Sequence, residues 1–331
     1  MWCGASRQGL LRLGEPMRVV FHHPCDAWLR DQVTAAMPAG VSVEIVERAL
    51  DPCLDKALRG ADVLVHVLHP VTERMLSLAP GLRLIQKLGV GLDAIDLGAA
   101  KERDIAVCNM PGTNSQAVAE LTLGMMLAVL RRIPQIDQRL RLEGRWELPQ
   151  GAQGLFGEIA GKTVGLVGYG EVARRVEPVL HAFGAQEILI CTRNEVEPAI
   201  GRKVQKREIL EAVDLLSLHL PGTEATRHWL DAGAISRMRP GAIVVNTSRG
   251  SVVDENALVD ALASGRLGGA ALDVYASEPL SPDAAILSLP NVVALPHIAW
   301  LTRDTMKRSL SVLAENVARL ESGRQLMHRV S

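Results

Sequence analysis

The stretch Lys162-Thr-Val-Gly-Leu-Val-Gly168-Tyr-Gly170-Glu-Val-Ala173-Arg-Arg-Val-Glu-Pro178-Val-Leu-His-Ala-Phe-Gly184 decides the fold. Thr163 to Val167 is a short apolar run of the kind a buried parallel strand needs. Gly168-x-Gly170-x-x-Ala173 follows it and opens a helical pattern. Gly168 permits a tight turn, and Gly170 lets the backbone approach a pyrophosphate. The helix start offers free N–H groups and the positive end of its dipole to that anion. Gly184 suits the position just past the helix end. Pro178 cannot donate a helical hydrogen bond, so a kink is expected there, or a helix regular only over its first two turns. This loop, with Tyr169, Glu171 and Val172, is the expected dinucleotide cradle.

The next strand, Glu187 to Cys191, ends where such folds read the ribose. An NAD site usually has Asp or Glu there. This chain has Thr192-Arg193-Asn194 instead. No carboxylate repels a 2′-phosphate, Thr192 can donate a hydrogen bond, and Arg193 can offer a charged fork. The expectation is NADP(H) preferred, with NAD(H) possible.

Outward from the cradle, strand and helix signals alternate. Further strands are expected at Leu215 to Leu218, Ala242 to Asn246, Gly269 to Asp273 and Val292 to Leu295. Before the cradle lie Met17 to Phe21, Ala61 to Val67, Leu82 to Ile85 and Ile105 to Val107. Short apolar strands separated by helices indicate parallel sheets covered on both faces. The expected class is α/β, with two doubly wound parallel-sheet domains: a Rossmann cofactor domain inserted in a flavodoxin-like substrate domain. At 331 residues, about two domains are expected. The boundaries expected are 17–115 and 298–331 for the discontinuous substrate domain, 116–297 for the dinucleotide-binding domain, and 1–16 for an extension. Ser115 to Ile133 is apolar nearly all round, and such a helix is buried, either between domains or subunits, the reading favoured, or as a central core helix of one domain. Residues 136–160 read as an arm or loop, with Trp146 as a packing residue. Arg303 to Leu320 is helical and should return to the first domain.

Composition excludes other classes. A formal net charge of −1 rules out a strongly basic nucleic-acid binder and a polybasic membrane patch. No apolar run reaches the roughly 18 residues a membrane helix needs, and residues 1–15 lack the apolar core of a signal peptide. Five cysteines at wide spacings, with no CxxC pair, read as reduced thiols in a cytoplasmic protein rather than a disulfide or zinc framework. No metal is expected.

Three more segments stand at expected strand ends: Asn246-Thr247-Ser248-Arg249-Gly250, Ala271 to Pro279, and Leu295-Pro296-His297-Ile298-Ala299-Trp300. Ligands of open α/β sheets bind at the carboxyl ends of strands. Reduction of a 2-ketoacid needs a proton donor for the developing alkoxide and a cation for the carboxylate. His297 suits the first task, Arg249 the second, and Glu278 can keep His297 protonated. Each alone reads as an ordinary structural residue; the three together, behind a nucleotide loop, read as a catalytic set.

With these residues in place, the chain from Met17 onward resembles the D-isomer-specific 2-hydroxyacid dehydrogenase family. The matching segments are the glycine loop, Gly89-Val-Gly-Leu-Asp-Ala-Ile-Asp96, Asn109 to Glu120, and Ser248-Arg-Gly-Ser-Val-Val-Asp254. The resemblance implies Arg249, Glu278 and His297 as the catalytic set and a homodimer. It implies that Leu88, Gly89, Val90 and Gly91 hold the substrate carboxylate. Lys87, just before that loop, reads either as an added cation for a carboxylate or phosphate or as a solvent-exposed strand-end lysine, and Trp300 is a further candidate on the substrate side. Asp273 matches the residue that binds the nicotinamide carboxamide, and His219, Pro221, Thr226, Thr247 and Ser248 should line the cofactor cleft. Two departures stand out. Glu171 puts a negative charge near the pyrophosphate. Ala299-Trp300 is closer to glycerate dehydrogenases and hydroxypyruvate reductases than to phosphoglycerate dehydrogenases. Pro296, where formate dehydrogenases of the superfamily carry Gln, argues against formate. Nor is there a counterpart of the C-terminal regulatory domain of long phosphoglycerate dehydrogenases.

The reading favoured is a glyoxylate/hydroxypyruvate reductase acting on a small 2-ketoacid. One alternative is an NAD-linked dehydrogenase of another acid, such as phosphoglycerate or a bulkier one. The other is a nucleotide-sensing corepressor-like binding module, which the lack of a Pro/Ser/Gly-rich tail disfavours.

Overall fold

The computed structural model describes residues 16–47, 52–148 and 151–331. Most of the 1–16 extension therefore lies outside the described residues. The chain divides into two compact units, one running to Thr113 and resuming over Thr302–Ser331, the other Asn114–Leu301.

The first unit holds strands β1 (Met17–His22), β2 (Val41–Val46), β3 (Val63–His66), β4 (Leu84–Lys87) and β5 (Ala106–Cys108). They form one parallel sheet in the order β2-β1-β3-β4-β5. That is the flavodoxin-like order. Helices α1 (Ala27–Ala36), α2 (Pro52–Leu58), α3 (Glu73–Ser77) and α4 (Leu97–Glu102) connect the strands. Val20, Leu64 and Ile85 pack with Leu54, Leu58 and Leu76 into one core.

The second unit carries β6 (Thr163–Val167), β7 (Glu187–Cys191), β8 (Arg202–Lys203), β9 (Leu215–Leu218), β10 (Ile243–Asn246), β11 (Gly269–Leu272) and β12 (Val292–Ala294). Their order is β12-β11-β10-β9-β6-β7-β8, all parallel. Strand order reverses between β6 and β9, the switch point at which a doubly wound sheet binds its ligand. Helices α5 (Ser115–Arg131), α6 (Ile133–Glu143), α7 (Glu171–Ala182), α8 (Lys206–Ala212), α9 (Ala232–Arg237) and α10 (Glu255–Ala263) belong to it. On one sheet face Met125, Met126 and Leu130 of α5 and Val176 and Leu180 of α7 pack on Val164, Leu166, Val245 and Ala271. The other face is covered by residues of α8, α9 and α10.

Helix α11 (Arg303–Glu321) belongs to the first unit and packs on α1. A buried polar network fixes it to the sheet. Asn316 Nδ2 donates to Gln86 Oε1 at 2.7 Å, Gln86 Nε2 donates to the Cys108 carbonyl, and Met327 N donates to Asn316 Oδ1. The final residues then pair along β5 through Val330 N and the Ser331 carbonyl.

Three expectations are corrected. Residues 136–160 are not all arm or loop, since α6 occupies Ile133–Glu143 with Pro134 in its first turn, where a missing N–H costs nothing. Arg132, left-handed at φ +50°, makes the break from α5. Trp146 is no packing residue; it is 83% exposed. Helix α7 is continuous through Pro178 to Ala182, not regular only over its first two turns, and stops as expected where Gly184 turns left-handed.

Candidate active site

Gly168 (φ +89°) makes the turn out of β6, and a Cβ there would lie 2.4 Å from the His219 carbonyl. Only glycine fits this close approach. Gly170 caps α7 with no side-chain bond to the helix N–H groups, and a Cβ added there would meet open space. The cradle thus presents unsatisfied donors and room for an anion, which fits a dinucleotide pyrophosphate. Glu171 points its charge at Arg175, 2.6 Å away, so the acid that stood out in the sequence is paired along its own helix. Val172 is half-buried against the α7 core.

At the carboxyl end of β7, Asn194 N donates to Thr192 Oγ1 and the Lys203 ammonium donates to the Asn194 carbonyl at 2.9 Å. Arg193 is exposed and forms no ion pair among the described residues. Lys203 was not singled out in the sequence. It joins this corner because β8 pairs with β7, placing Lys203 opposite Ile190.

Past β9, burial pushes the His219 imidazole down to about 4, so it is neutral at neutral pH. Its Nε2 lies 3.0 Å from Ser217 Oγ. The Thr226 hydroxyl is buried and donates to the Pro221 carbonyl, so it shapes the loop from inside. Past β10, Thr247 Oγ1 meets the buried Thr122 Oγ1 of α5 at 2.8 Å, and Ser248 N and Oγ both donate to Asn246 Oδ1. Asn246 Nδ2 donates in turn to the Arg249 carbonyl. A Cβ on Gly250 would lie 1.8 Å from the Tyr275 carbonyl, so the chain after Arg249 presses directly on the loop leading to Glu278.

His297 Nδ1 stands 2.6 Å from Glu278 Oε2. Tyr275 N holds the other carboxylate oxygen at 3.0 Å. Burial works to raise the Glu278 carboxyl. The hydrogen bond and charge of His297, the Tyr275 N–H and the Arg249 guanidinium outweigh it and hold the group below the ordinary carboxylate range. A carboxylate only accepts, so Nδ1 carries the proton and Nε2 is left for chemistry. His297 sits in a left-handed conformation, φ +56°. Asp273, fully buried, holds the loop in that shape: Oδ1 accepts from Ile298 N at 2.8 Å and Oδ2 from Ala299 N at 2.9 Å. Trp300 Nε1 closes the turn on the His297 carbonyl. Strain of this kind persists only where its surroundings over-determine it. The arrangement presents one oriented imidazole donor backed by a carboxylate.

In the first unit, the carboxyl ends of β1, β3 and β4 carry His22, His66 and Lys87 in one register row. Lys87 is buried, not a solvated strand-end lysine, and its ammonium donates to the Val67 carbonyl. Burial, with the Lys87 charge adding to it, pushes His66 down to about 3. Leu88 N donates to the His66 carbonyl at 2.8 Å. Gly89 (φ +124°) and Val90 have their carbonyls held by Met110 N and the Asn109 side chain.

The sequence matches the profile of the family described as D-isomer specific 2-hydroxyacid dehydrogenase, NAD binding domain, over residues 123–299. It is 38% identical to the glyoxylate reductase of Aeropyrum pernix over 281 residues, which is 82% of this chain and 83% of that one. The chain belongs to the D-isomer specific 2-hydroxyacid dehydrogenase family. As a member it is an NAD(P)-dependent oxidoreductase acting on the CH–OH group of 2-hydroxy acids. The hydroxypyruvate reductase of Thermotoga maritima is 37% identical over 80% of this dehydrogenase and 86% of its own length. Among solved structures, the NADPH-dependent glyoxylate/hydroxypyruvate reductase of Sinorhizobium meliloti in complex with NADP and malonate superposes with a TM-score of 0.80. It is 30% identical and covers 96% of this chain and 97% of its own. No helix among the described residues is long and apolar enough to cross a membrane.

Proposed function

We propose that this dehydrogenase is an NADPH-preferring reductase of small 2-ketoacids, glyoxylate and hydroxypyruvate foremost. The observation that carries the reading is the 2.6 Å pair of His297 Nδ1 and Glu278 Oε2, held at the carboxyl end of the cofactor sheet. A nicotinamide cofactor held at the 168–172 cradle would supply the hydride. Imidazole Nε2 of His297 gives its proton to the carbonyl oxygen as that oxygen gains charge. Glu278 orients the ring, and Arg249 holds and polarises the 2-ketoacid. Asp273 sets the strained turn that aims His297. Gly168, Tyr169, Gly170, Glu171 and Val172 cradle the pyrophosphate. His219, Pro221, Thr247 and Ser248 would line the cofactor cleft, with Thr226 shaping the loop behind them, and Leu88, Gly89, Val90 and Gly91, with Lys87, would receive the substrate carboxylate.

The NADPH preference rests on Arg193, unpaired at the end of β7, with Thr192, Asn194 and the nearby Lys203 ammonium. The relatives named glyoxylate reductase and hydroxypyruvate reductase support the substrate class. The buried Lys87 favours a second reading, an acid with a further anionic group. Initial rates with glyoxylate, hydroxypyruvate, pyruvate, phenylpyruvate and 3-phosphohydroxypyruvate, each with NADPH and NADH, test both. Fast NADPH oxidation by the two small ketoacids supports the first reading. Turnover confined to the phosphorylated acid supports the second. No turnover with any pair defeats both.

The active form is a homodimer in this reading. Helix α6 and the arm after it expose Ile133, Leu140, Leu142, Trp146 and Leu148, an apolar surface suited to a second copy of the chain. Light scattering should give twice the 35.7 kDa chain mass, and the double variant Leu142→Asp/Trp146→Asp should fall to the monomer.

A further inference from the structure

Glu177 lies on α7 one turn past the phosphate cradle and is 0% exposed. A carboxylate so placed is costly unless its oxygens are taken up. Here they are. Oε2 accepts from the Tyr169 hydroxyl at 2.5 Å, and Oε1 accepts from Ile200 N at 3.1 Å and Gly201 N at 2.7 Å. The Tyr169 hydroxyl accepts in turn from Ala199 N at 3.0 Å. Burial and the bond to Glu177 push the Tyr169 phenol up, so it remains a donor, and Arg174 lies over its ring at 4.7 Å. Residues 192–201 form one loop between β7 and β8. Its first part carries Thr192, Arg193 and Asn194. Its last three residues, Ala199, Ile200 and Gly201, are all tied by their N–H groups to Tyr169 and Glu177. At the far end the backbone packs closely on β7, since a Cβ on Gly201 would lie 2.6 Å from the Ile188 carbonyl.

We propose that Glu177 is a positioning residue for cofactor discrimination: with Tyr169 it clamps the 192–201 loop to the phosphate-binding helix and so sets where Arg193 stands. The inference rests on the reading of Arg193 as the 2′-phosphate reader. The donors that satisfy this carboxylate come from a loop it does not belong to, so the same bonds that offset its burial tie that loop to α7. The clamp couples the two ends of the adenosine diphosphate site, since one helix carries the pyrophosphate donors and anchors the 2′ loop.

The test is steady-state kinetics of Glu177→Ala, Glu177→Gln and Arg193→Gln, and of Glu177→Ala/Arg193→Gln, with NADPH and NADH. Binding of adenosine 2′,5′-bisphosphate by calorimetry accompanies it. Glu177→Ala should raise KM for NADPH and Kd for the bisphosphate on the order of tenfold, with kcat within twofold and KM for NADH little changed. Glu177→Gln keeps an acceptor for Ile200 and Gly201 and should show a rise of about threefold or less; it also serves if the alanine variant does not fold. In the Arg193→Gln background, Glu177→Ala should add nothing to KM for NADPH, because the clamp acts through Arg193. Additive effects would overturn the proposal, as would unchanged KM for NADPH or an equal loss with both cofactors. If Arg193→Gln alone leaves NADPH binding intact, the reader is misassigned. The clamp then stands only if Glu177→Ala still weakens bisphosphate binding.

Discussion

Asp273 grips the backbone on the C-terminal side of His297: its two carboxylate oxygens accept from Ile298 N and Ala299 N at 2.8 and 2.9 Å. The imidazole is thereby fixed from below by one buried acid and from the side by Glu278. Two carboxylates with different partners give the histidine one position and keep Nδ1–H bonded to Glu278, so the proton to be given up is the Nε2–H of the imidazolium.

Replacing Glu278 with Gln leaves the shape but removes the charged acceptor for Nδ1–H. We expect kcat with glyoxylate to fall on the order of 10²-fold, with KM for NADPH unchanged. The pH sign follows from the lowered carboxyl. A depressed acid contributes stability that is present above its unfolded pKa and lost as pH falls through its folded one. The gap in Tm between wild type and Glu278→Gln should therefore be full at neutral pH. It should close below the ordinary carboxylate range, as scanning calorimetry across that range would register.

Arg193→Gln should raise KM for NADPH by about 10- to 100-fold, the worth of one charge-assisted hydrogen bond, and leave NADH alone. Kinetics with the two cofactors at fixed glyoxylate measure this. Equal effects on both cofactors would remove Arg193 from the 2′ site.

Asn316→Ala strands Gln86 Oε1 and Met327 N in a buried layer. A loss of about 1–3 kcal/mol is expected, because an orphaned buried polar group costs its desolvation. Urea unfolding should show a lower midpoint with an unchanged slope, and the variant should keep its kcat while folded.

Much of this was legible in the chain. The Thr163–Gly184 stretch gave strand, turn, helix and stop because short-range chemistry dictates each. The strands at Thr163, Glu187 and Leu215 are short and mostly apolar, bounded by polar or glycine-containing turns, so their bounds were readable to the residue. β2 was missed because Val41–Val46 alternates with Ser and Glu at a sheet edge, and β8 because two residues make no pattern. Helix α6 was hidden by its polarity and by the Pro134 that in fact begins it. Glu177 was not singled out in the sequence, where it is one charge among several on an amphipathic helix. Only the tertiary contact with residues 199–201 shows that it is buried, and no local signal encodes a partner more than twenty residues away.

The account stands or falls on His297. In a His297→Asn variant shown to be folded by its circular dichroism and Tm, kcat for NADPH-dependent glyoxylate reduction should drop 10²- to 10⁴-fold, on the order expected for one acid–base group, with KM for NADPH unchanged. An unchanged kcat in that folded variant would contradict the assignment of His297 as the proton donor.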